Sequence, residues 1–178
     1  MALREILTEP NKILRQKSLT VEKVDSEIQK LMDDMLETMY AAPGIGLAAI
    51  QVGVPKRVIV LDLAQKEKEK EQVKKPMYFV NPEIINKSKN NSTYEEGCLS
   101  VPGQFAEIDR PDQCHIRYLD YYGQPKEIKT EGMLATCIQH EMDHLEGILF
   151  IDYLSKLKKT MIIKKLSKQK KEIERIVV

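Results

Sequence analysis

The sequence predicts an α+β domain, and three observations carry that reading. Segments rich in Val, Ile and Phe sit in the middle of the chain. Segments with helical periodicity lie before and after them, without regular alternation of strand and helix. At 178 residues, 42% apolar and 31% charged, the chain can close one core without disulfide or metal staples, so residues 1–178 read as one domain.

The elements follow in order. Ser26-Glu27-Ile28-Gln29 has the form of a capping box, and Ile28, Leu31, Met32, Met35, Leu36 and Met39 recur after it at helical spacing. The methionines of that stripe read as core packing. Pro43-Gly44-Ile45-Gly46 ends the helix. Arg57 to Leu63 and Met77 to Ile85 read as strands. Between them, residues 64–76 are dominated by alternating Lys and Glu with no apolar face, which predicts a charged, exposed loop. Cys114 to Asp120 and Lys126 to Thr130 read as a hairpin around Tyr122-Gly123-Gln124-Pro125. Thr130-Glu131 opens a second helix with Thr130 as its cap. Met133, Leu134, Cys137, Ile138 and Leu145 form its apolar face, and Gly147 is its stop. A third helix runs from about Ser155 to Ile173.

Charge is unevenly spread. Residues 155–178 hold eight Lys and one Arg against two Glu, a net of +7. The chain total of +1 therefore leaves −6 on the rest. A basic helix of this kind fits either a solvated face or a polyanionic partner. No stretch has the length and apolarity of a membrane span, so no membrane partner is expected. The opening Met1-Ala2-Leu3-Arg4-Glu5 carries a charge pair where a secretory signal needs an apolar block. The three cysteines (Cys98, Cys114, Cys137) are an odd, sparse set, so a reducing cytoplasm is the expected location.

The chemistry is concentrated in His140-Glu141-Met142-Asp143-His144, an HExxH motif on the second helix. Residues i and i+4 share one face with Cβ atoms about 5–6 Å apart, so two imidazoles there can hold one metal ion. Glu141, beside the first ligand, can reach a water on that ion without being a ligand itself. The third ligand is less direct. Metzincin proteases place a third His where this chain has Phe150. Thermolysin-like enzymes use a Glu about twenty residues on, where this chain has Lys164-Lys165. His115 lies in a strand beside Arg117 and reads as structural. A cysteine remains. Cys98 stands out because Gly97 before it frees the backbone for a close approach, whereas Cys114 and Cys137 read as buried filling. One thiolate and two imidazoles leave a fourth position for water, as catalytic zinc sites do.

Three segments together resemble the peptide deformylase family. They are Gly44-Ile45-Gly46-Leu47-Ala48-Ala49-Ile50-Gln51, Glu96-Gly97-Cys98-Leu99-Ser100 and Gln139-His140-Glu141-Met142-Asp143-His144-Leu145. Their order and spacing agree with the family, and the likeness extends over nearly the whole chain. The C-terminal helix resembles the bacterial subclass that ends in one.

The resemblance implies antiparallel sheets packed around the central HExxH helix, with helices at the N- and C-terminal ends. It implies hydrolysis of the formyl group from N-formylmethionyl nascent peptides. Cys98, His140 and His144 become the ligands of one divalent metal, Fe²⁺ natively, with Zn²⁺ or Ni²⁺ in purified protein. Glu141 moves the proton, and the Gln51 amide and Leu99 N–H stabilise the oxyanion. Gly44, Gly46, Glu96 and Gly97 border the substrate. Met133, Thr136 and Cys137, one helix face with His140, line a methionine slot opposite Ile45. The basic helix 155–178 becomes a ribosome contact reading phosphate charge. Two rivals share the motif: a zinc-dependent peptidase, and a non-catalytic metal-binding module with no use for Glu141.

Overall fold

The computed structural model of the chain describes residues 2–66 and 73–177. Among them the elements run α1 (Ser26–Ala41), β1 (Gly46–Ala48), β2 (Val58–Leu61), β3 (Met77–Lys87), β4 (Asn91–Cys98), β5 (Val101–Pro111), β6 (Gln113–Leu119), β7 (Pro125–Glu131), α2 (Gly132–Leu145) and α3 (Lys156–Ile176), with short 3-10 turns between some of them. Antiparallel pairing joins β1-β2-β3-β6-β7 into one sheet, and β4 and β5 form a separate hairpin. The α+β class read from the sequence is the class observed.

The unbroken apolar run Val58-Ile59-Val60-Leu61 explains the layering. Side chains alternate across a strand, so a strand apolar at every position must be covered on both faces. Val58 and Val60 meet Met32, Met35 and Met39 of α1 in one core. Ile59 and Leu61 join Phe79, Ile116, Ala135 and Ile138 in a second core under α2. The methionine stripe is thus core packing, fully buried. A third cluster ties Val101 and Ile108 of β5 to Leu149, Phe150, Ile151 and Leu166, and so seats α3.

Several boundaries differ from the sequence reading. The N-cap of α1 is Asp25, not Ser26: its carboxylate accepts from the N–H groups of Glu27 and Ile28 at 3.1 and 3.0 Å. An anion there also complements the helix dipole. Thr130 does not cap α2. It is extended at the end of β7, where its hydroxyl donates to the Cys114 carbonyl at 3.1 Å, and Glu131 flanks the helix instead. The β4–β5 hairpin carries no alternating strand signature in the sequence, because acids and Arg110 interrupt the pattern. Of the charged loop 64–76, residues 67–72 lie outside the described residues; before them Leu63–Lys66 is a 3-10 turn, and Val73 to Pro76 are exposed. Among the described residues no helix is long and apolar enough to cross a membrane.

Candidate active site

Helix α2 supplies one wall of a cleft of about 420 Å³. Its helical period puts Met133, Thr136, Cys137 and His140 on a single face, and all four line the cleft together with Glu141. Pro43, Gly44, Ile45 and Gly46 line another side, and Glu96 to Leu99 a third. Every site residue expected from the sequence lines this cleft except His144, which sits behind it at 1% exposure.

Close backbone packing makes the glycines necessary. A Cβ on Gly46 would collide with the Glu141 carboxylate oxygen Oε1 and come within 2.8 Å of Leu61 Cδ2. A Cβ on Gly97 would meet the Phe105 ring at 2.6 Å.

Three donor atoms converge at the deep end. Those of Cys98, His140 and His144 all lie within 4.8 Å of one another. Cys98 Sγ and His144 Nε2 are 3.4 Å apart. Two ligands at tetrahedral angle on one ion, with bonds of about 2.05 and 2.3 Å, stand roughly 3.5 Å apart. The donor set therefore fits one divalent metal, and thiolate with imidazole suits zinc, iron or nickel.

A buried network orients the first imidazole. His140 Nδ1 lies 2.8 Å from Glu96 Oε2. Arg110 grips the same carboxylate with Nε at 2.6 Å and with an Nη at 3.0 Å. Its other Nη donates to Asp143 at 2.8 Å, and Tyr153 donates its hydroxyl to Asp143 at 2.7 Å. With Nδ1 engaged, Nε2 is the nitrogen of His140 left for a metal. Glu96 was expected as a substrate contact. It borders the cleft, and its carboxylate oxygens are engaged by His140 and Arg110.

Gln51 approaches from the other side. The Ala48 N–H donates to its Oε1 at 2.9 Å, which fixes the amide orientation. Its Nε2 donates to Ser100 Oγ at 3.0 Å and lies 3.5 Å from Cys98 Sγ. Leu99 occupies the tight connection between β4 and β5 directly after Cys98.

Electrostatics separate the acids. Burial pushes the Glu141 carboxyl up to about 7, with Glu96 and Asp143 adding to the rise and His140 and Arg110 opposing it. Its Oε2 is buried without a hydrogen-bond partner among the described residues. For Glu96 burial raises the pKa too, but the bonds to His140 and Arg110 outweigh it and keep the group ionised at neutral pH. The imidazoles are pushed apart. Burial and the charges of His140, Arg110 and Arg15 hold His144 well below its usual range. At His140 burial is overcome by Cys98 and Glu96, and the ring titrates well above that range.

Sequence reading missed Arg110, Ser100, Tyr153 and the cleft-lining Tyr94 and Phe105. Tyr94 and Phe105 lie in the unpredicted hairpin, where the Asn90-Asn91 turn signal and the β-formers Thr93 and Tyr94 were the available cues. His115 stays outside the site, paired with Glu127 at 2.9 Å. Cys114 is buried against Thr130 at 3.0 Å.

Residues 3–160 match the sequence profile described as Polypeptide deformylase. The chain belongs to this family. A peptide deformylase of Pelagibacter ubique (strain HTCC1062) is 66% identical over 178 residues, covering 100% of both chains. One from Phenylobacterium zucineum (strain HLK1) is 61% identical over 96% of this chain and 99% of its own. Among solved structures, the peptide deformylase of Ehrlichia chaffeensis in complex with actinonin superposes with a TM-score of 0.89 at 47% identity, covering 95% of this chain and 98% of that one. As a family member the chain is a deformylating hydrolase of protein biosynthesis that acts on formylated nascent peptides. The family implies a divalent metal, for which Cys98, His140 and His144 are the candidate ligands.

Proposed function

We propose that residues 1–178 form one catalytic unit in which Glu141 drives removal of the formyl group from N-terminal formyl-methionine, giving formate and a free amine. One observation carries this assignment of roles. A buried carboxyl with Oε2 unpartnered among the described residues lines the same cleft as the convergent donors Cys98 and His140 and the apolar side chains of Met133 and Ile45.

Cys98, His140 and His144 hold the metal, Fe²⁺ natively and Zn²⁺ or Ni²⁺ in purified protein. When bound, such an ion makes water a nucleophile at neutral pH and polarises the formyl oxygen. Glu141 takes the proton of the attacking water and delivers it to the departing amine, and its buried, unpartnered Oε2 is free to do both. The Gln51 amide, already fixed by Ala48, and the Leu99 N–H donate to the developing oxyanion. Met133, Thr136 and Cys137, with Ile45 opposite, receive the methionine side chain. Strand β1 lies at the sheet edge, so the backbone of Gly44 to Gly46 is placed to pair with an extended peptide that also passes Glu96 and Gly97. The exposed lysines of α3, including Lys164, Lys165, Lys168, Lys170 and Lys171, form a face for ribosomal RNA phosphate in the cytoplasm.

Formate release from a formyl-Met tripeptide tests this reading. The protein is purified without oxygen, loaded with Fe²⁺ and compared with Glu141→Ala. Release that disappears in a folded, metal-retaining variant is the expected result. Equal release by the variant overturns the role of Glu141. Cleavage of internal peptide bonds in place of the formyl bond indicates the zinc-peptidase alternative.

A further inference from the structure

A second cleft, of about 580 Å³, opens where β3 begins and β6 turns into β7. It shares no lining residue with the substrate cleft. Tyr78, Tyr118, Tyr121 and Tyr122 line it with Asp33 and Asp120. Tyr78 and Tyr121 stand 5.0 Å apart at 59°, and Tyr121 and Tyr122 stand 5.2 Å apart at 80°, so ring faces and edges alternate around the opening.

The ring at the rim is presented by a fixed turn. Tyr122 is 74% exposed. Its own N–H and that of Gln124 both donate to Asp120 Oδ1 at 2.9 Å, and the Asp120 N–H donates to the Gln124 carbonyl at 2.9 Å. On the inner side Tyr121 donates its hydroxyl to Asp33 at 3.1 Å. Among the described residues no Lys, Arg or His forms an ion pair with Asp33 or Asp120.

Two carboxylates without a cationic partner among the described residues repel anions, and a wholly apolar ligand would strip their water without replacing it. The faces of tyrosine rings attract cations. An adjacent pair already uses this chemistry: Lys74 Nζ lies 4.3 Å over the Tyr40 ring, and the Tyr40 hydroxyl donates to Asp62 at 2.5 Å. The carboxylate field also reaches the cleft rings. Burial and then Asp33 and Asp62 raise the Tyr78 hydroxyl above its ordinary range, and burial with Asp33 does the same at Tyr121. We propose that this cleft is a binding site for an organic cation, whose ammonium group faces Asp33 and Asp120 while its carbon atoms pack on Tyr78, Tyr121 and Tyr122.

The test is a titration of the full-length, metal-loaded protein followed by NMR of its backbone amides and tyrosine rings. Choline is one probe, and its neutral carbon isostere 3,3-dimethylbutan-1-ol is the control, at matched ionic strength. Choline is expected to give saturable shifts at Tyr78, Tyr121, Tyr122 and Asp33, and the alcohol none. Tyr122→Leu and Asp33→Asn each weaken binding by roughly three- to tenfold and leave deformylation unchanged. N-acetyl-lysine amide separates the sources: tighter binding than choline assigns the cleft to a lysine side chain, weaker binding to a free alkylated ammonium, and either supports the site. Equal shifts by the alcohol, absence of saturation, or choline affinity unchanged in both variants overturns it.

Discussion

The Nδ1 atom of His140 lies 2.8 Å from Glu96 Oε2, and Arg110 clamps both oxygens of that same carboxylate. The pair fixes which imidazole nitrogen faces the candidate metal. Glu96 and Arg110 are each at most 6% exposed, so neither charge has water to replace the other.

Glu96→Gln is therefore expected to act twice. Metal affinity falls by about 10–100-fold, as for loss of an outer partner of a metal-bound histidine. Stability falls as well, by less than the roughly 3–5 kcal/mol of a wholly orphaned buried charge, because Arg110 loses its bidentate anion but keeps Asp143 at 2.8 Å. Competition with a chelator reads the first effect and a thermal melt the second. An unchanged metal affinity would remove the orienting role.

Gly46→Ala places a methyl group against Glu141 Oε1 and Leu61 Cδ2. The carboxylate must move, and a displacement near 1 Å costs on the order of 10²-fold in turnover. Circular dichroism should remain native while kcat on a formyl-Met peptide drops by that amount.

Gln51→Ala removes the amide donor beside Cys98 while leaving the helix that carries the HExxH motif untouched. Loss of one oxyanion donor lowers kcat by about 10²–10³-fold with little change in KM. Ser100→Ala only frees the Gln51 amide from its 3.0 Å bond to Ser100, so its kinetic effect should be smaller. A pure KM effect in Gln51→Ala would assign the amide to substrate binding.

Acid should loosen the N-terminal segment first. Asp34, 1% exposed, accepts from the Ala2 N–H at 2.9 Å and from Arg4 and Lys30. Its bond to Lys30 leads in lowering its pKa from 3.8 to about 2, against the opposing effect of burial. The folded pKa is depressed, so the stabilisation is full above pH 3.8 and is lost as pH falls towards about 2. Solvent around Lys30 and Arg4 reduces its size to roughly 1–2 kcal/mol. Hydrogen exchange at residues 2–4 across that window checks it, and Asp34→Asn should remove the pH dependence.

How much could be read beforehand depended on range along the chain. His140, Glu141 and His144 were legible because one turn of helix relates them, and helical geometry is fixed locally. The same period placed Met133, Thr136 and Cys137 on the cleft face. Asp25 was missed as a cap because Ser26 and Gln29 also fit the local pattern, and only backbone geometry selects between adjacent candidates. The β4–β5 hairpin was missed because its polar residues serve Arg110 and the cleft rather than an inside–outside alternation.

The sequence by itself determined the α+β class, the apolar stripe of α1, a strand at β2 and two histidines one helical turn apart. Composition and local periodicity suffice for these, since side-chain direction follows from φ and ψ alone. Elimination of other third ligands pointed to Cys98, and the resemblance to a family added Gln51, Leu99 and Ile45 as expectations. Only the tertiary structure decided that Cys98 Sγ lies 3.4 Å from a histidine 46 residues away and that Gln51 reaches Ser100 across 49 residues. It alone tied Arg110 to Glu96 and Asp143. Such contacts depend on how separate strands and a helix pack, and packing is a property of the assembled core that no local stretch of chain contains.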